Sequence, residues 1–170
     1  MRMLLVFAVC LCAATAASAQ SVRDSVVKIY ATYRAPNFEQ PWSRSSPEEF
    51  TGSGFVIEGG LILTNAHVVE YASQIFVQPP HSSDRLRAEL VAISRGIDLA
   101  VIRLRREEER AAFHAAHPPL PLKQDLPPIG ATVQAYGYPM GGEQMSITEG
   151  IVSRIEYADF YFDTYGLRVQ

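Results

Sequence analysis

The chain has 170 residues, with 15 Lys or Arg against 18 Asp or Glu and a net charge of −3. Nucleic-acid binding needs a basic surface to neutralise phosphates, and this balance argues against such a partner. Both cysteines, Cys10 and Cys12, stand near the amino terminus, so no disulfide framework organises the rest of the chain.

The first segment reads as an export signal. Arg2 gives a positive start, Leu4 to Ala17 is an apolar run, and Ala17-Ser18-Ala19 is a small-x-small site before Gln20. This predicts a secretory signal peptide over residues 1–19 and a periplasmic or secreted product. The run falls short of the ~20 residues a membrane span needs, and the residues before each cysteine match a lipobox poorly. Cleavage would leave 14 basic residues against 18 acidic ones, a net charge of about −4. About 150 residues remain, enough for one domain or one and a fraction.

The remainder reads as short apolar strands between turn signals. Val22 to Tyr33 is rich in β-branched and aromatic residues. Ala35 to Glu49, with Pro36, Pro41 and Pro47, predicts a long surface loop. Gly54 to Ile57 and Leu61 to Thr64, joined by Glu58-Gly59-Gly60, predict a hairpin. Thr64 to Val69 predicts one helical turn capped by Thr64 or Asn65. Ile75 to Val77, Leu86 to Ile93 and Leu99 to Leu104 follow as strands. That makes about six strands by residue 104, enough to close a small antiparallel barrel.

Arg105 to Arg110 is a mixed charge run leading into Ala111 to Ala116. It predicts a short exposed helix with i,i+4 ion pairs, ended by Pro118-Pro119. Strand signals resume over Ala131 to Tyr138 and Gln144 to Tyr157, and Gly166 to Gln170 reads as the opening of another strand. The expected organisation is all-β: a first barrel over 20–104, a charged linker or helix over 105–119, and an incomplete second β unit over 120–170.

Two residues carry the candidate chemistry. His67 follows a strand and a capped turn, a corner where an imidazole can face a cleft, and Asp98 comes 31 positions later at the head of an apolar strand. A seryl hydroxyl is a poor nucleophile near neutral pH and needs a base. An imidazole supplies that base when a carboxylate fixes its tautomer and stabilises the imidazolium. A charge at Asp98 would be costly without such a partner. Ser53 and Ser153 lack the strand-to-helix elbow that activates a nucleophile, and no Gly-x-Ser-x-Gly occurs in the sequence. His114 and His117 fall on one helical face and His81 in a loop, but zinc wants further ligands and no cysteine survives processing. No metal and no cofactor are expected. Tyr157, Phe160, Tyr161, Phe162 and Tyr165 form an aromatic cluster that suits packing or subunit contact better than a ligand.

Thr64-Asn65-Ala66-His67-Val68-Val69, Asp98-Leu99-Ala100-Val101, Gly137-Tyr138-Pro139-Met140-Gly141-Gly142 and Ser146 to Ile155 together resemble the HtrA/Deg branch of chymotrypsin-like serine proteases. The resemblance runs from about Val26 to Gln170. It implies a double β-barrel, the first complete and the second partly present, with His67 as general base and Asp98 as its orienting carboxylate. It implies an endopeptidase acting on unfolded or misfolded polypeptides, assembled as a trimer in the complete protein. The family's serine stands in a Gly-Asn-Ser-Gly-Gly loop that also forms the oxyanion hole. By the family's spacing that loop falls about ten residues beyond Gln170, so the chain as written is expected to be inactive. The alternative is a short pseudoprotease acting as a binding module. Retention of both His67 and Asp98 argues against it, as do the strand edges an unfinished barrel would expose.

Overall fold

The computed structural model describes residues 22–37, 39–139, 142–156, 158–162 and 165–169, with side chains described up to residue 156. The signal segment, Met140, Gly141 and Tyr157 therefore lie outside the described residues, and the aromatic cluster after Ile155 is seen only as backbone.

Six strands form a closed antiparallel barrel: β1 (Val26–Tyr33), β2 (Glu48–Ile57), β3 (Leu61–Thr64), β4 (Ala72–Gln78), β5 (Leu86–Ser94) and β6 (Leu99–Leu104). Their order around the barrel is β1-β2-β3-β6-β5-β4, so β1 pairs with both β2 and β4 and no edge is left open. The alternation of β6 shows why these residues make a barrel. Ala100, Ile102 and Leu104 point inward and are buried, while Leu99 and Arg103 face out. Val27, Ile29, Val56, Ile62, Val69 and Val77 fill the interior with them, each worth roughly 1.5–3 kcal/mol on burial.

The β2–β3 hairpin has the predicted turn, with Ile57 opposite Leu61 and positive φ of 79° and 74° at Gly59 and Gly60. The predicted loop over 35–49 is shorter than expected, because β2 already begins at Glu48. Farther back in β2, a Cβ on Gly52 would stand 2.6 and 2.7 Å from the two Cγ atoms of Val68. Glycine there lets the short helix α1 (Ala66–Val69) lie against the barrel wall.

Helix α2 (Glu107–Ala116) differs from the sequence expectation in two ways. Its charges do not form i,i+4 pairs; Arg106, at the N-cap, meets Glu108 at 2.8 Å and Glu109 at 3.2 Å, which keeps the acids in the first turn where the helix dipole favours them. Nor is it wholly exposed, since Phe113 is 4% exposed and joins the barrel core. The segment after it is strapped down by Ser25 Oγ donating to Pro118 O at 2.6 Å and Leu120 N donating to Val56 O at 2.9 Å.

Beyond α2 come two antiparallel ribbons, β7 (Thr132–Gly137) with β8 (Ser146–Ile151), and β9 (Ala158–Phe162) with β10 (Tyr165–Val169). β8 covers less than the extended stretch expected over 144–157, and Ser153 lies after it rather than in it. Ser53 of β2 joins the first ribbon to the barrel. Its hydroxyl accepts from Tyr138 N at 2.7 Å and faces Tyr138 O at 3.4 Å. The backbones of β9 and β10 pass beside the 3-10 turn Arg95–Ile97, just before Asp98.

Candidate active site

Sheet pairing brings His67 and Asp98 together. Thr64, the last residue of β3, pairs with Ala100 of β6. The chain leaving β3 therefore starts α1 next to the chain entering β6. His67 is the second residue of α1, and Asp98 sits between the Arg95–Ile97 turn and β6. Asp98 adopts the left-handed conformation, φ 52° and ψ 44°, which costs most residues roughly 1–2 kcal/mol but which Asp tolerates better than most.

His67 Nδ1 stands 2.7 Å from Asp98 Oδ2. The backbone N–H of His67 donates to Asp98 Oδ1 at 2.9 Å. Asn65 Nδ2 donates to Asp98 Oδ2 and to Asp98 O, each at 3.2 Å. The carboxylate side chain is 12% exposed and the imidazole 57%. A carboxylate so enclosed is tolerable because three donors satisfy it. An ionised carboxylate can only accept, so a neutral imidazole at this distance carries its proton on Nδ1, leaving Nε2 as the basic ring nitrogen.

Neither residue expected to cap α1 does so. Asn65 occupies the N-cap position with φ −79° and ψ 147° but makes no side-chain cap bond. Thr64 Oγ1 donates instead to Ser53 O at 2.8 Å. The acceptor for the first turn is Asp98 Oδ1, from across the barrel end. Local capping preference yields here to a tertiary contact that satisfies a charge. Asn65 is thus a site residue that sequence reasoning assigned only a local role.

The remaining candidates do not join the pair. Ser53 is engaged with Tyr138. His114 packs its ring edge-on against Phe113 at 5.2 Å with Nε2 beside Gly60. Burial pushes its imidazole below the ordinary histidine value, the Gly60 backbone opposing and His117 adding to the shift. His117 Nδ1 meets Asp24 O at 2.6 Å, and His81 lies in the loop after Pro79-Pro80 with φ 60°.

A recess of about 320 Å³ is lined by Thr64, Asn65 and Leu99, sequence neighbours of His67 and Asp98, and by Tyr136 from β7, with neither His67 nor Asp98 in its wall. A larger recess, about 520 Å³, lies between the Gln78–Ser82 loop and the residues Tyr138, Glu143, Gln144, Met145 and Ile147, and it too has neither His67 nor Asp98 in its wall.

The trypsin-like peptidase domain matches residues 52–167. The chain is 41% identical over 145 residues to putative protease Do-like 6, chloroplastic, of Arabidopsis thaliana, covering 85% of this chain and 64% of that protein. It is 41% identical over 148 residues to protease Do-like 4, mitochondrial, of the same plant, covering 86% of this chain and 27% of the relative. The chain thus spans less than two thirds of either. Among solved structures, the active form of the Rv3671c protease from M. tuberculosis superposes with a TM-score of 0.68 at 23% identity, over 88% of this chain and 58% of that one. That likeness is one of fold: a chymotrypsin-like arrangement, with the first barrel closed and the second represented by ribbons.

Proposed function

The chain belongs to the trypsin-like peptidase family, and from that premise we propose that it carries the base half of a serine endopeptidase centre of the HtrA/Deg type. The observation that carries the reading is the 2.7 Å contact from His67 Nδ1 to Asp98 Oδ2, with the His67 amide on the second carboxylate oxygen at 2.9 Å. Nε2 of His67 takes the proton of a seryl hydroxyl as its oxygen attacks the scissile carbonyl. Asp98 holds the ring in register and stabilises the imidazolium. The same proton then passes to the leaving amine as the peptide bond breaks and the acyl-enzyme forms.

The sequence contains no Gly-x-Ser-x-Gly, so these 170 residues by themselves do not hydrolyse peptides. The serine and its oxyanion amides belong to the complete centre. Substrates are unfolded or misfolded polypeptides, and the complete protein works as a trimer; both rest on the resemblance of the Thr64–Val69, Asp98–Val101 and Gly137–Gly142 motifs to the HtrA/Deg proteases. Export rests on the charged start, apolar run and Ala17-Ser18-Ala19 site of residues 1–19.

The test uses a fluorophosphonate, which labels an activated serine, on the chain as written and on a chain extended along the natural reading frame. The short form should stay unlabelled, and the extended form should be labelled in a manner abolished by His67→Ala. Labelling of the short form, or labelling of a folded extended form that survives His67→Ala, overturns the reading.

A further inference from the structure

Asn65 opens α1 and is exposed. At the N-cap, an asparagine side chain ordinarily accepts a hydrogen bond from the turn it opens. Here its Nδ2 donates to two atoms of one residue, Asp98 Oδ2 and Asp98 O, both at 3.2 Å. Flipping the amide would turn its oxygen toward two acceptors, so the partners themselves fix which end is the donor. The cap acceptor that Asn65 does not supply comes from Asp98 Oδ1 through the His67 amide. The two residues have exchanged roles: the acid caps the helix, and the cap residue serves the acid.

We propose that Asn65 is a positioning residue for Asp98, holding its carboxylate in the orientation that receives the His67 Nδ1 proton. The proposal rests on the His67–Asp98 reading given above. Oδ2 receives both Asn65 Nδ2 and His67 Nδ1, so the amide fixes the oxygen on which the tautomer depends. The second bond, to Asp98 O, ties the backbone of a residue held at φ 52°. Left-handed backbone is disfavoured for a residue with a Cβ, and a donor on its carbonyl opposes relaxation. Without Asn65 the carboxylate can turn about its terminal torsion, which has broad minima. The imidazole then loses a fixed acceptor, and the Nε2–H tautomer, useless as a base toward a hydroxyl, gains population. Because Asn65 is exposed, replacing it leaves no cavity in the barrel.

The test is long-range proton–nitrogen NMR on the full chain labelled with ¹⁵N-histidine, with His67→Gln used only to assign the resonance. The nitrogen shifts of His67 at pH 8 report which ring nitrogen bears the proton. The parent should show the Nδ1–H tautomer, and Asn65→Ala and Asn65→Leu should each raise the Nε2–H to Nδ1–H ratio about tenfold, the scale of one lost hydrogen bond to a charged group. Asn65→Leu keeps the volume of the side chain and carries the test if the alanine variant is poorly folded. A parent with the Nε2–H tautomer would overturn the His67–Asp98 reading and the proposal with it. A parent with the Nδ1–H tautomer and variants at the same ratio would overturn the role of Asn65 alone.

Discussion

Asp98 holds His67 twice, through Oδ1 to its backbone amide at 2.9 Å and through Oδ2 to its ring at 2.7 Å. One carboxylate therefore closes the helical turn and orients the imidazole that the turn presents. Asp98→Asn separates these roles. The amide oxygen can still cap the turn, but its NH₂ then faces Asn65 Nδ2 and demands the opposite imidazole tautomer. In a chain complete with its serine, kcat should fall about 10⁴-fold, as expected when the base is held in the wrong tautomer. Stability should fall by roughly 1–3 kcal/mol, the cost of donors left facing one another, as read by urea unfolding. Retention of near-parental kcat in Asp98→Asn would overturn the role proposed for Asp98.

The barrel was legible in the sequence because it rests on local pattern. β6 matches its predicted span, Leu99 to Leu104, since inward Ala100, Ile102 and Leu104 alternate with outward residues. The contact between His67 and Asp98 was legible from their spacing and context. What local pattern could not show were the contacts that sheet closure creates. Thr64 and Asn65 looked like caps, but the pairing of Thr64 with Ala100 puts a carboxylate beside them, and a charge outcompetes a local acceptor. Phe113 looked like part of an exposed charged helix because one aromatic side chain is too little to set a helical period.

Gly52 is expected to be intolerant of any side chain. A Cβ there would come within 2.7 Å of both Val68 Cγ atoms, and Val68 is 7% exposed on the same turn as His67. Gly52→Ala should cost ~1–3 kcal/mol, the range for forcing atoms into a packed site. Val68→Ala removes the opposing atoms, so a double-mutant cycle should show the pair less destabilised than the two single changes summed. Strict additivity would mean that the clash is relieved elsewhere.

Ser53 should act as a staple between barrel and ribbon. Ser53→Ala removes the acceptor for Tyr138 N, leaving a partly buried amide without its protein partner, at about 1–3 kcal/mol. The loss should be local. Hydrogen exchange at Tyr138 and along β7 should speed by about tenfold or more while amides in β1 and β6 keep their protection. A uniform rise across the barrel would instead make Ser53 part of the global folding unit.

His114 should give the protein an acid-side instability. Burial pushes its imidazole below the ordinary value, with Phe113 on one side, the Gly60 turn on another and His117 adding a like charge when protonated. In the unfolded chain the same ring binds a proton near about pH 6.5, whereas in the folded chain it does so only at lower pH. Between those two points the unfolded state holds more protons, so stability is full above pH ~6.5 and declines as pH falls through that window. Thermal midpoints measured from pH 7.5 down to 5 should fall more steeply in the parent than in His114→Gln, which cannot take up the proton. Parallel curves for the parent and His114→Gln would show that the proton is accommodated at no cost, and that the α2–Gly60 contact opens before the barrel does.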